Sequence, residues 1–143
     1  MDLPCASAPA GHCHKMFKDI LVNLYVADID RAVNLYRDGF GMTETYRFPK
    51  SGPAEHVELK LGPTTLGLSS AAGLERHGMP AATRGQPFEL AIGCDDVDAD
   101  LEKLRAAGAR VVKEPYDTAA GNRTAYLEDT DGNRISIYSR IRG

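Results

Sequence analysis

The stretch Leu21–Tyr36, LVNLYVADIDRAVNLY, changes its period halfway along. Ile20, Val22, Leu24 and Val26 alternate with Leu21, Asn23 and Tyr25, the period of two that a strand requires. Beyond Asp28 the apolar residues Ile29, Ala32, Val33 and Tyr36 fall at i, i+3, i+4 and i+7, one stripe of a helix. Asp28 offers a side-chain oxygen as N-cap, and Gly39 and Gly41 end the helix. Sixty-eight residues further on (96 − 28) the same hand-over recurs in ELAIGCDDVDADLEKL, Glu89–Leu104, with Asp96 in the place of Asp28. The chain therefore reads as two copies of one module.

Each copy continues with three more strands. In the first they are expected over Met42–Phe48, Glu55–Leu61 and Thr65–Ser69, separated by Pro49, Gly52 and Pro53 and then by Gly62 and Pro63. In the second, a strand at Phe88–Cys94 and a helix striped by Val97, Leu101 and Leu104 stop at Gly108. Strands at Arg110–Lys113, Asn122–Glu128 and Arg134–Ser139 follow, the last two joined by the turn Asp129-Thr130-Asp131-Gly132-Asn133. Both copies thus have the order βαβββ. The expected organisation is a tail over 1–15, a first module over 16–69, a linker or lid over 70–87 and a second module over 88–143.

Composition bounds the function. A chain of 143 residues with 43% hydrophobic and 26% charged residues can bury a core without a disulfide or metal staple. A net charge of −3 and the absence of a Lys/Arg cluster leave no footprint for nucleic acid or an anionic membrane. No apolar run reaches the roughly 18 residues a membrane span needs, and the first 14 residues lack the charged and apolar regions of a secretion signal. Cys5, Cys13 and Cys94 are odd in number with no CxxC spacing, which fits a reducing cytoplasm. His12, Cys13 and His14 are too close together in sequence to converge on one ion without further donors, and are read as part of the tail.

The tandem βαβββ order, the turns VADID and CDDVD, and the closing EDTDGNRISIY hairpin resemble the vicinal oxygen chelate superfamily, which includes glyoxalase I, bleomycin resistance proteins and extradiol dioxygenases. The resemblance covers about residues 17–140. It implies an α+β fold in which each module curls into a half-barrel, helix outside, and paired modules enclose a ligand cavity, with a homodimer as the expected assembly. Leu24 and Val26, with Val22, would then pack under the helix, and Leu90, Ile92 and Cys94 likewise. Leu21, Asn23, Tyr25, Glu89, Ala91 and Gly93 would face the cavity, with Thr65, Ser69, Ser136 and Tyr138 completing its lining.

Metal-dependent members of that superfamily hold a divalent cation through four inward seats, which by motif correspond here to Leu21, Gly67, Glu89 and Ser136. Leu21 and Gly67 carry no donor and the Ser136 hydroxyl is a poor one, so Glu89 stands alone and no metal cofactor is expected. Glu89 could act as a general base, anchor a cationic ligand, or pair with Arg123 or Arg134. His56 and Glu58, two apart and out of phase with Val57, Leu59 and Leu61, could form a proton shuttle in the cavity beside Lys60, or an ordinary polar rim. His77 reads as a loop residue. The reading favoured is a metal-independent homodimer that sequesters a small organic molecule, an antibiotic among the candidates. The alternative is a glyoxalase-like lyase or isomerase in which Glu89 and His56 serve as atypical metal ligands or as acid and base without a metal.

Overall fold

The structure, a computed structural model, describes Phe17, residues 19–83 and residues 85–141. Residues 1–15, with the His12–His14 cluster, lie outside the described residues. Two four-stranded mixed sheets are present. The first comprises β1 (Val22–Val26), β2 (Thr43–Phe48), β3 (His56–Leu61) and β4 (Thr64–Ser70), in the spatial order β1-β4-β3-β2. The second comprises β5 (Leu90–Gly93), β6 (Arg110–Asp117), β7 (Asn122–Glu128) and β8 (Arg134–Arg140), in the order β5-β8-β7-β6. In each the first strand runs parallel to the fourth and the other pairings are antiparallel. The duplication in the sequence is a duplication of topology.

Alternation decides which face each helix covers. Leu24, Val26, Val57, Leu59, Leu66 and Leu68 are buried in the first sheet, as are Ala125, Leu127, Ile135 and Ile137 in the second. Against them pack α1 (Ile29–Val33) and α3 (Val97–Ala106), capped by Asp28, which accepts from the Arg31 amide at 3.1 Å, and by Asp96, which accepts from the Ala99 amide at 3.1 Å. Asp98 and Asp100 at the start of α3 and Lys103 and Arg105 at its end complement its dipole. Among the described residues no helix is long and apolar enough to cross a membrane.

Several expected boundaries shift. The helix after Asp28 is regular only to Val33, then widens into a π-helical turn over Asn34–Gly39, closed by the Phe40 amide on the Leu35 carbonyl at 3.1 Å. The wider turn rotates Leu35 and Tyr36 together into the core, where both are fully buried. Gly39 ends it with no room for a side chain: a Cβ there would lie 3.2 Å from Ala107 and from Leu104 of the other half. Val22, expected beneath the helix, is 41% exposed, because α1 leaves from the far end of β1 and covers only its last residues. The stretch 70–87 is not bare connection. Ser70 accepts from the Gly73 amide at 3.0 Å and starts a short helix, α2 (Ala71–Arg76), with His77 at its C-terminus as a loop residue. β6 runs four residues further than expected, since as an edge strand it tolerates Pro115 and two register shifts.

A buried polar joint fastens the two halves. The Tyr36 hydroxyl donates to the Asp129 carboxylate at 2.7 Å, and Asp129 also accepts from the Asp131 and Asn133 amides and from Asn133 Nδ2. Asp131 in turn accepts from the Ala27 amide at 2.8 Å. Burial, and then the Asp129 charge, raise the Tyr36 phenol well above its ordinary value of 10.0.

Tyr36→Phe should lower unfolding free energy in urea by about 1–3 kcal/mol, because a buried charged acceptor loses one of its donors. Ionisation sharpens the test. The folded state holds the phenolic proton while the unfolded chain releases it near pH 10, so the stabilisation from Tyr36 persists below that pH and declines above it. The variant should show a shallower alkaline decline in melting temperature than the wild type.

Candidate functional site

The faces turned away from the helices carry the polar and aromatic side chains. In the first sheet the strand register aligns Tyr25, Ser69, His56 and Phe48 in one row, and Asn23, Gly67, Glu58 and Tyr46 in the next. His56 is bracketed, with Nδ1 3.0 Å from Ser69 Oγ and Nε2 3.0 Å from Glu58 Oε2. A neutral imidazole has one donor and one acceptor nitrogen, and the serine hydroxyl can serve as either partner while the carboxylate accepts. Tyr46 tilts against the imidazole with ring centroids 6.0 Å apart.

In the second sheet the rows are Arg134, Glu128 and Arg110; then Ala91, Ser136, Tyr126 and Lys113; then Gly93, Tyr138, Thr124 and Tyr116. The Tyr138 ring roofs Gly93, whose Cβ, if present, would meet the ring at 3.4 Å. The Lys113 ammonium lies 4.3 Å from the centre of the Tyr116 ring. A hydrogen bond between Tyr126 and Tyr116, followed by smaller contributions that include the Glu89 charge, raises the Tyr126 phenol above its usual value. Tyr25 at 45%, Tyr46 at 48%, Phe48 at 53% and Tyr138 at 40% exposure make this a solvent-facing aromatic surface. Packing against core neighbours does not account for them.

Two hollows are bordered by residues of both halves. A groove of about 1,010 Å³ joins Asn23 and Tyr25 of the first sheet to Arg110 and Glu128 of the second, with Gln86 and Phe88 as a wall. An apolar cleft of about 250 Å³ lies at the seam, where Val22, Leu61 and Thr65 face Leu90 and Ile92. The segment before β5 therefore borders the groove.

The four metal seats of the resemblance do not fit a divalent cation. Leu21 is half-buried and has no donor, and Ser136 is buried with only a hydroxyl. At Gly67 a Cβ would fall inside the carboxamide of Asn23 and 3.1 Å from Leu21 Cδ2, so a neighbouring side chain fills that seat. Glu89, expected within the strand and inside the cavity, is exposed and just ahead of β5. Of its two expected partners, Arg123 is held instead by Asp98 at 2.5 Å and Asp117 at 2.9 Å, and among the described residues Arg134 forms no ion pair with it. Among the described residues no three His, Cys, Asp or Glu side chains converge as a metal site.

Of the expected site residues, the structure brings Ser69, His56 and Glu58 into contact, and Asn23 onto Gly67; Ser136 and Tyr138 lie on the opposite sheet. Lys113, Tyr116, Tyr126 and Tyr46 were not foreseen. Tyr126 was readable, being in phase with Thr124 and out of phase with buried Ala125 and Leu127. Tyr116 was not, because the register shifts in β6 break the alternation ahead of it.

Comparisons with known proteins agree with this architecture. Residues 18–137 match the sequence profile described as the Glyoxalase/Bleomycin resistance protein/Dioxygenase superfamily. A lactoylglutathione lyase of Haemophilus influenzae is 33% identical over 122 residues, covering 80% of this chain and 86% of that protein. A probable lactoylglutathione lyase of Vibrio cholerae is 29% identical over 122 residues, covering 80% and 84%. The crystal structure of a glyoxalase/bleomycin resistance protein/dioxygenase family enzyme from Burkholderia phytofirmans superposes with a TM-score of 0.74 at 26% identity, covering 85% of this chain and 97% of that one.

The filled seat can be tested by a double-mutant cycle. Gly67→Ala should destabilise the wild type by about 1 kcal/mol, because Asn23 must swing away. In an Asn23→Ala background the same change should be neutral or stabilising, since the strand then gains a better β-former than glycine. Additive effects in urea unfolding would show that Asn23 does not occupy the seat.

Proposed function

The chain belongs to the Glyoxalase/Bleomycin resistance protein/Dioxygenase superfamily, and we propose that it is a member that binds a small organic molecule between its two sheets without a divalent metal. The observation that carries this reading is the seat at Gly67, which Asn23 occupies, beside Leu21 and Ser136, which cannot replace a carboxylate or imidazole. The exposed aromatic side chains suit such a ligand: Tyr25 borders the groove, and Tyr46 and Tyr138 offer further ring surface for a flat apolar body. An antibiotic is one candidate ligand, and a homodimer in the cytoplasm is the expected state. Cys94 supports a reducing compartment, being a free, half-buried thiol whose pKa is pushed up to about 11 by burial and by Asp100.

A second reading is favoured by one arrangement, the Ser69–His56–Glu58 chain, and by the lactoylglutathione lyase names of the relatives. Here the protein is a metal-free lyase or isomerase. Glu58 Oε2 is engaged by His56, so Oε1 is the atom placed to take a proton from a substrate carbon, with the imidazole stabilising the carboxylate. Glu89, just ahead of β5, lies near Tyr126 of the second half and would act on a different part of the ligand.

The two readings separate experimentally. Protein purified without added metal should contain no stoichiometric Ni, Zn, Mn or Fe, and an organic ligand found by screening should raise its melting temperature. One tightly held equivalent of metal would end both readings. With the hemithioacetal of methylglyoxal and glutathione as substrate, the binding reading expects no turnover. Turnover that survives chelation and falls at least tenfold in both Glu58→Gln and His56→Ala would establish the enzyme reading.

A further inference from the structure

β5 is an edge of its sheet, paired on one side only, with β8. The Cys94 amide donates to the Tyr138 carbonyl at 2.9 Å. In a parallel ladder residues two apart address the same neighbour, so Leu90, Ile92 and Cys94 turn their N–H and C=O groups to β8, and Ala91 and Gly93 direct theirs to the open side. Among the described residues no other backbone group reaches those four. The open side is the apolar seam cleft of about 250 Å³: Ala91 and Gly93, both exposed, line it with Leu90 and Ile92, and Val22 and Leu61 form the facing wall. Exposures of 41% at Val22 and 38% at Leu61 leave that wall uncovered. Free backbone donors and acceptors thus run along one side of an apolar hollow. Water satisfies those groups but leaves the wall wet, and a hydrocarbon covers the wall but leaves the groups unpaired. An extended amide does both.

We propose that the seam cleft binds a short extended amide, a peptidic small molecule with apolar side groups that adds to the free edge of β5, an inference that rests on the reading of the chain as a small-molecule binder. Ala91 and Gly93 are two residues apart, about 6.6 Å along a strand, which is the repeat of an extended peptide, so one dipeptide unit meets both. The cleft's volume of about 250 Å³ corresponds to roughly eight waters at ~30 Å³ each, which matches a unit of that size rather than a full strand.

The probes are N-acetyl-dileucine N-methylamide, its analogue methylated at both leucine nitrogens, and N-acetyl-diglycine N-methylamide, each titrated by calorimetry and by thermal shift. The dileucine amide should raise the melting temperature and bind at least tenfold more tightly than either of the others, because one lacks the N–H groups and the other the side groups. Hydrogen exchange followed by NMR locates it on the wild-type chain. The Ala91 and Gly93 amides should exchange fast in the free protein and at least tenfold more slowly at saturation, whereas those of Ile92 and Cys94 are protected throughout. Ala91→Pro removes one outward N–H and leaves the β8 ladder whole, and Val22→Asn makes the facing wall polar; each should weaken the dileucine amide at least fivefold. Equal binding of the N-methylated analogue, or binding that leaves the Ala91 and Gly93 amides in fast exchange, would overturn the site while leaving the small-molecule reading standing. No response to the dileucine amide at millimolar concentration would overturn it as well, and the wider reading falls with it only if no organic ligand stabilises the protein. Protection of both amides without any probe, rising with protein concentration, would assign the edge to a second copy of the chain and overturn the proposal.

Discussion

The arrangement of the whole molecule depends on the buried hydrogen bond from Tyr36 to Asp129. Tyr36 reaches it from the helix of the first half, and Asp129 from the hairpin of the second. Neither group could be buried alone at tolerable cost, so each needs the other in place. The π-helical turn makes the meeting possible by rotating Tyr36 inward alongside Leu35. Once joined, and with the Ala27 amide held by Asp131, the two halves border one groove, from Asn23 and Tyr25 on the first sheet to Arg110 and Glu128 on the second. The site exists because the joint does.

Within that frame, a repeated substitution of chemistry is visible. In each half a glycine on one strand is roofed by a side chain from the strand beside it: Asn23 lies over Gly67, and Tyr138 over Gly93. The first presents a carboxamide and the second an aromatic face. Both serve molecular recognition better than ion coordination, since an amide donates and accepts hydrogen bonds and a ring offers area at small entropic cost. The titratable groups that remain are split between the sheets, with His56 and Glu58 on one and Arg134, Lys113 and Glu89 on the other.

The fold was legible because its signal is local. The period change at Asp28 and again at Asp96 marks strand, cap and helix through interactions within a few residues, and the repeat at a fixed offset makes the second half confirm the first. That Leu21 and Gly67 lack donor atoms in any conformation is likewise a property of the chain alone. What could not be read was whatever hinges on distance in space. The exposure of Val22 depends on how far α1 extends over β1, and the freedom of Glu89 depends on Arg123 having been claimed by Asp98 and Asp117.

The sequence by itself therefore determined the element order, the two faces of each strand and the absence of a family-type ligand set, because alternation and residue chemistry are properties of the chain alone. Only the tertiary structure decided that Ser69, His56 and Glu58 form one hydrogen-bonded chain, that Asn23 fills the space over Gly67, and that Arg134 Nε has no acceptor among the described residues. Those outcomes depend on strand register and on competition among neighbours for the same partner. Register is set by packing across the sheet, and a partner is lost or won by fractions of an ångström that no linear spacing encodes.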